Sequence, residues 1–100
     1  MSRDSARRYL IAYDIADDRR RTRVAQALAS YGDRIQFSVF MIEARPAKLL
    51  RLRSALVRLV DLDSDGIIIC DLGQLSNDAA ERIEVIGRSR PMTADDVIIL

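Results

Sequence analysis

The sequence predicts one α+β domain that combines β-strands with α-helices. Its 100 residues suffice for a single hydrophobic core, and 49% of them are apolar, with no linker-like segment before Gly87. Segments with the two-residue period of a strand alternate with two segments that have the period of an amphipathic helix. A domain of this size is only marginally stable alone, so we expect association with another chain to stabilise it.

The first predicted strand covers residues 9–15, where apolar side chains occupy both faces. This pattern is typical of a strand that is buried on both sides of a sheet, as in parallel sheets. Asp14 is the exception, because an unpaired carboxylate is costly to bury. Two interpretations of Asp14 stay open from this segment alone: a residue that caps the following turn, or an acid with a functional role.

A first helix is predicted to begin with Asp17 or Asp18 as its N-cap and to run to Tyr31, where Gly32 ends it. Apolar residues at helical spacing form its inner face. The helix therefore follows the first strand after a short turn.

Arginines cluster in the first turns of this helix. Arg20 and Arg21 fall at the two edges of its apolar face, so we expect both beside Asp14, whereas Arg23 points toward solvent. The free N–H groups of a helix N-terminus favour anions. A phosphate site and a solvated surface are about equally compatible with this pattern.

Residues 35–43 predict a second strand with one mixed face. Ser38 and Phe40 lie on that face, where they present a hydroxyl group and an aromatic ring. Such a ring stacks on nucleic acid in some proteins, but more often it is part of the core. Both interpretations of Phe40 stay open, with the core favoured.

A second helix is predicted from Pro46 to about Val60. Lys48, Arg51 and Arg58 align on the side opposite its apolar face, and residues 44–60 include no acid. A helix with an all-basic polar face is suited to following a phosphate backbone, although a solvated surface explains it more simply.

The rest of the chain predicts shorter elements. Residues 61–66 form a turn, 67–72 a strand, 76–81 a short turn of helix and 82–86 another strand. Residues 88–96 predict an extended arm, and the chain ends on an apolar strand at 97–100. Because an apolar terminal strand needs an edge to pair with, a second subunit is its expected partner.

The composition excludes several classes of site. There is no histidine, which removes the commonest general base, the Ser/His and Cys/His nucleophile pairs and imidazole metal ligands. Any chemistry must use carboxylates, arginines, hydroxyls and a hard cation such as Mg²⁺ or Mn²⁺. The single Cys70 cannot form an internal disulfide. No apolar run is long enough to span a membrane and no signal-peptide pattern is present, so we expect a cytoplasmic protein without a membrane partner.

Three linked motifs resemble the CRISPR-associated protein 2 family, the small subunit of the machinery that inserts new spacers into CRISPR arrays. They are YDIADD with the following R-x-R-V (13–24), GDRIQFSVF (32–40) and DGIIICDLG (65–73). The resemblance implies a ferredoxin-like βαββαβ sandwich, with an extra C-terminal strand, that forms a homodimer. The ferredoxin-like domain would comprise residues 1–87, and 88–100 would be an arm that packs on the partner.

That fold requires a hairpin between its second and third strands. Residues 35–43 contain no turn residue, so we expect the break to be a bulge or a short bend. Sheet-to-sheet dimerisation would also explain why the first strand is apolar on both faces.

The resemblance also implies a site. Relatives are described as metal-dependent endonucleases on RNA or double-stranded DNA, with the aspartate of the YDI motif linked to the metal, which corresponds to Asp14. Tyr13 and Ser38 are its candidate catalytic neighbours. Candidate nucleic-acid-binding residues are Arg20, Arg21, Arg23, Arg34, Phe40, Lys48, Arg51 and Arg58.

One carboxylate cannot hold Mg²⁺ or Mn²⁺ alone, so the proposed metal site needs two Asp14 side chains across the dimer. Many relatives have Glu after the SVF motif, where this chain has Met41. The alternative is a non-catalytic scaffold that bridges CRISPR integrase subunits (CRISPR-associated protein 1) and binds prespacer duplex. A third reading, an unrelated ferredoxin-like RNA-binding module, is disfavoured by the linked motifs.

Overall fold

The computed structural model describes residues 5–75 and 83–87. Four antiparallel strands form one sheet in the order β2-β3-β1-β4. The elements, in chain order, are β1 (Arg7–Asp14), α1 (Asp18–Ala29), β2 (Gly32–Gln36), β3 (Val39–Ala44), α2 (Pro46–Leu59) and β4 (Gly66–Gln74). This is the predicted α+β, ferredoxin-like βαββαβ arrangement, which confirms the fold class.

The N-cap of α1 is Asp17, whose backbone is extended and whose Oδ2 accepts a hydrogen bond from the Arg20 N–H at 2.9 Å. The helix ends at Ala29, two residues before the predicted end. Gly32 is not a helix stop but the first residue of β2, where a Cβ atom would lie 2.1 Å from the Met41 carbonyl oxygen. The close approach of β3 therefore requires glycine at this position.

The prediction of one continuous strand over residues 35–43 is wrong. β2 and β3 are separate and are joined by a two-residue turn, Phe37–Ser38, so that Gln36 faces Val39. The register shifts by one residue between Arg34 and Gln36, which is the bulge that the fold required. No non-glycine residue that the structure describes has a positive φ, so the turn needs none of the residues by which hairpins are usually recognised.

The core lies between the two helices and one face of the sheet. Its largest fully buried side chains are Ile11, Val24, Leu28, Phe40, Ile42 and Leu52. β1 is central, paired with β3 on one side and β4 on the other. Among residues 5–75 and 83–87, nothing covers the second face of β1, and the strand is antiparallel to both neighbours, which corrects the expectation of a doubly buried parallel strand.

The opposite face of the sheet carries apolar side chains that no described helix covers. Strand alternation puts on this side the residues between the buried ones of each strand. We call this surface the open face; its apolar members are Leu10, Ala12, Val39, Met41, Ile68 and Cys70. An ion pair between Arg8 and Glu43 lies at one end of the open face, and Asp14 lies at the other end of β1.

Toward the C-terminus, β4 is longer than the predicted strand 67–72. The predicted strand 82–86 is wrong for its described part, because residues 83–86 have no strand structure in this chain. The short helix at 76–81, the arm at 88–96 and the terminal strand at 97–100 lie outside the described residues, so the division of the chain at residue 87 stays a prediction. None of the described helices is long and apolar enough to cross a membrane.

Candidate nucleic-acid interface and carboxylate site

Asp14 is the last residue of β1 and is exposed. It faces Gly66 across the β1–β4 pairing, and since its neighbour Tyr13 points into the core, Asp14 points to the open face. The carboxylate makes no hydrogen bond or ion pair with any residue in the ranges 5–75 and 83–87. The Asp14 carboxylate is therefore available to a metal ion or to a cationic group of another molecule.

Arg20 does not lie against Asp14 as expected. Its guanidinium binds Asp65 through two hydrogen bonds, Nε to Oδ2 at 2.7 Å and Nη2 to Oδ1 at 3.2 Å. The Asp65 side chain is only 1% exposed and also accepts the Asp61 N–H at 2.8 Å. The Arg20 hydrogen bond, and after it the Asp61 N–H, lowers the pKa of Asp65. Arg20 thus joins the start of α1 to the α2–β4 turn, and its role as a nucleic-acid ligand stays a prediction.

The Arg21 guanidinium also binds groups of its own chain. Its Nη1 donates to the carbonyl oxygens of Ile15 and Ala16 at 3.1 and 3.2 Å, and its Nη2 binds Asp18. These bonds satisfy carbonyl groups in the β1–α1 turn. Arg23 differs: it is exposed and has no ion-pair partner in the described part of the chain.

Three of the predicted site residues lie inside the molecule. Tyr13 is 6% exposed, Arg34 3% and Phe40 0%. Arg34 and Phe40 are cross-strand partners that face the helices. Neither Phe40 nor Arg34 is accessible to nucleic acid in this arrangement, so the burial agrees with the favoured core interpretation of Phe40 and gives no support to either residue as a nucleic-acid ligand.

The Tyr13 hydroxyl is fully engaged. It accepts a hydrogen bond from Arg34 Nη2 at 3.1 Å and donates to the Phe37 carbonyl oxygen at 3.3 Å. A buried hydroxyl with both functions occupied is not placed to transfer a proton to a substrate, so the structure argues against a catalytic Tyr13.

The exposed aromatic ring of this hairpin belongs to Phe37, which is 54% exposed. Sequence reasoning missed it, because strand alternation without the turn placed Phe37 on the buried side. Ser38, the other turn residue, is half-buried, and its carbonyl oxygen accepts the Tyr13 N–H at 3.1 Å. The turn therefore lies directly beside the end of β1.

The outer side of α2 carries the predicted basic residues. Lys48, Arg51 and Arg58 are all exposed, and none has an ion-pair partner among the described residues. Lys48 Nζ lies 5.5 Å from the centre of the Tyr31 ring. We call Lys48, Arg51 and Arg58 the basic helix face; it lies on the helical side of the sheet, away from Asp14.

Arg45 extends the basic helix face and was not singled out from the sequence. Together with Lys48 and Arg51 it lines a cleft of about 370 Å³ at the start of α2. The one acid in this cleft, Glu43, is occupied by Arg8. The acid-free segment 44–60 contains Arg45 and could have pointed to it. Arg45 was not considered because it precedes Pro46, where the predicted helix begins.

The described residues of one chain do not form a metal site. No group of three or more carboxylate, thiol or imidazole side chains lies close enough to hold a metal ion in the part of the chain that the structure describes. Mg²⁺ takes one or two carboxylates together with water and phosphate oxygens. Asp14 fits this chemistry only when a second carboxylate is brought to it.

A model of the family described as CRISPR associated protein Cas2 matches residues 7–79. The chain belongs to this family. The Cas2 match covers every helix and strand of the described structure.

Two relatives and one solved structure illustrate the similarity. CRISPR-associated endoribonuclease Cas2 4 of Rhodospirillum rubrum is 45% identical over 62% of this chain, and the match spans only 50% of that relative. CRISPR-associated endonuclease Cas2 2 of Thermus thermophilus is 41% identical over 81% of this chain and 82% of its own. The crystal structure of a hypothetical protein from Thermus thermophilus superposes with a TM-score of 0.74 at 38% identity, covering 87% of this chain and 99% of the other.

Proposed function

We propose that this protein is a dimeric, nucleic-acid-binding subunit of the CRISPR spacer-acquisition machinery. Two copies associate through the open face, bind prespacer duplex with the basic helix face of each copy, and bridge CRISPR integrase subunits. The observation that carries this proposal is the position of Lys48, Arg51 and Arg58. These three exposed cations have no ion-pair partner in residues 5–75 and 83–87, and they lie on the side of the sheet that the proposed dimer leaves free.

The open face supports the dimer. It presents apolar side chains from β1, β3 and β4. The most prominent exposed one is Ile68, whose relative exposure is 67%. Exposed apolar patches of this extent on a sheet mark an interaction surface. A second copy is the occupant we propose, because it would also bring a second Asp14 to the same surface.

Charge reversal on α2 tests the nucleic-acid interface. Arg51→Glu replaces an exposed cation of the basic helix face with an anion, so we expect duplex affinity to fall and the slope of log K against log salt to become shallower. The matched control is Arg53→Glu, the same change in the same helix but on the side that borders Val57 and Leu62. Equal losses of affinity in the two variants would remove the basic helix face from the proposal.

Metal-dependent phosphodiester cleavage is a second candidate function, which the unpaired, exposed Asp14 favours. Two Asp14 carboxylates facing each other across the dimer would hold Mg²⁺ or Mn²⁺, which activates a water molecule and stabilises charge on the phosphate when it is bound. The chain's own residues position this acid: Tyr13 anchors the end of β1 in the core, and the Ser38 carbonyl fixes its backbone. One relative named above is called an endoribonuclease and the other an endonuclease. We therefore propose to assay cleavage of both RNA and double-stranded DNA.

A further inference from the structure

The cluster of Tyr13, Arg34, Phe37 and Phe40 contains a buried cation that has no counter-ion in the described part of the chain. Arg34 is 3% exposed, and no carboxylate in the described part of the chain pairs with it. Its guanidinium carbon lies 5.5 Å from the centre of the Phe37 ring and 5.2 Å from that of Phe40. Two aromatic faces offset part of the cost of burying the charge, but they do not replace a carboxylate.

Arg34 uses two of its three nitrogens in hydrogen bonds. Nε donates to the Phe37 carbonyl oxygen at 3.0 Å and Nη2 donates to the Tyr13 hydroxyl at 3.1 Å. Nη1 is buried and has no acceptor among the described residues. A buried donor without an acceptor is destabilising, so the arginine is not optimised for stability alone.

The two acceptors belong to one structural junction, where the β2–β3 turn meets the end of β1. Tyr13 is bound to this turn at two further points, because its N–H donates to the Ser38 carbonyl and its hydroxyl donates to the Phe37 carbonyl. The turn contains neither glycine nor asparagine to set its geometry. Hydrogen bonds from the side chains of Arg34 and Tyr13 to the Phe37 carbonyl oxygen set the geometry of the turn instead.

We propose that Arg34 is a positioning residue that holds the Phe37–Ser38 turn against Tyr13 and thereby fixes the end of β1 from which Asp14 projects. Arg34 makes no contact with nucleic acid. Its guanidinium lies over the ring of Phe40, which is buried on the helical side, whereas Asp14, one residue after Tyr13, points to the other side of the sheet. The consequence for cleavage rests on the proposed function; the consequences for stability and for binding do not.

A double-mutant cycle tests the junction itself. Tyr13→Phe in the natural background removes two hydrogen bonds and leaves Nη2 of Arg34 as well as Nη1 without an acceptor. In an Arg34→Met background the same change removes only the bond to Phe37. We therefore expect Tyr13→Phe to lower the midpoint of urea unfolding at least twice as much in the natural background as in the Arg34→Met background. All four proteins are measured at the same concentration. Equal shifts in the two backgrounds would overturn the proposal.

A salt series distinguishes positioning from phosphate contact and does not depend on Tyr13→Phe being able to fold. Arg34→Met and Arg51→Met each remove one arginine, the first buried and the second exposed. We expect Arg51→Met to reduce the slope of log K against log salt by roughly 0.9 per lost contact with a duplex phosphate. The slope of Arg34→Met should equal that of the natural chain. A slope reduced as much as in Arg51→Met would show that Arg34 contacts the backbone of the duplex.

Cleavage kinetics with Mg²⁺ supply a readout that a merely structural role would not change. Arg34→Met should lower kcat roughly tenfold to a hundredfold with KM unchanged, because a displaced β1 end misplaces Asp14 without removing a substrate contact. A raised KM at unchanged kcat would contradict the positioning role. If the natural chain cleaves neither RNA nor DNA, the cleavage candidate fails, and the cycle and the salt series still decide the role of Arg34.

Discussion

The two sides of the sheet differ in chemistry. The helical side is closed by α1 and α2, and its outer surface carries Lys48, Arg51 and Arg58, which form no ion pair with any residue that the structure describes. The open face is apolar in its centre and ends at Asp14. A duplex bound to the basic helix face of a chain therefore lies on the side of the sheet opposite that chain's Asp14. The difference teaches that the proposed binding surface and the proposed metal site lie on opposite sides of the sheet, so that the two proposed functions can be tested separately.

The two phenylalanines of the hairpin give the largest expected effect. Phe40 is fully buried on the helical side, so Phe40→Ala should lower the free energy of unfolding by about 3–5 kcal/mol. Phe37→Ala is the matched control, since that ring is 54% exposed and the chain folds without burying it. Urea unfolding monitored by circular dichroism measures both. Similar losses for the two variants would contradict the placement of the core on one side only.

An acidic substitution on the open face should break the dimer. Ile68→Glu puts a carboxylate into the proposed interface, where desolvation without a partner would weaken association by roughly a hundredfold, on the order of 3 kcal/mol. Leu62→Glu is the control, because Leu62 is 73% exposed in the α2–β4 turn and lies off the open face. Sedimentation velocity over a concentration series reports the association. A dimer that survives Ile68→Glu unchanged would place the interface elsewhere.

The smallest expected effect concerns the ion pair between Arg20 and Asp65, which joins the start of α1 to the α2–β4 turn. Arg20 and the Asp61 N–H hold the pKa of Asp65 below its ordinary value of 3.8. Because the pKa of Asp65 is lower in the folded than in the unfolded chain, the ionised carboxylate stabilises the fold fully at pH values above the unfolded-state pKa. This stabilisation is lost as the pH falls through the folded-state pKa. The stability advantage of the natural chain over Asp65→Asn should thus be larger at pH 6 than at pH 3. An advantage that does not change between these pH values would contradict the pairing with Arg20.

Regular patterns in the sequence predicted much of the fold. The period of α2 placed Lys48, Arg51 and Arg58 on one exposed side, whereas the apolar residues on both faces of β1 did not show which face the helices cover. The same alternation failed at residues 35–43, because a two-residue turn with a preceding bulge leaves no signal in the residue types. That one error placed the exposed Phe37 on the buried side, whereas the favoured core interpretation of Phe40 agrees with its burial.

Contacts between residues far apart in the chain could not be predicted from local patterns. Arg20 pairs with Asp65 across 45 positions, and Arg34 reaches Tyr13 across 21. Each arginine looked like a phosphate ligand in the sequence because its charge was visible and its partner was not. Of the arginines predicted to bind phosphate, Arg23, Arg51 and Arg58 lie exposed on helices and have no ion-pair partner among the described residues.

Asp14→Asn tests most directly whether the two sides act independently. The substitution keeps the shape of the side chain and removes the charge on which any metal site at the open face depends. With the basic helix face as the binding surface, the variant should bind duplex with an affinity within about twofold of the natural chain and with the same salt slope, while Mg²⁺-dependent cleavage is lost. A tenfold loss of duplex affinity in Asp14→Asn at unchanged folding stability would show that the open face takes part in binding and would contradict the account.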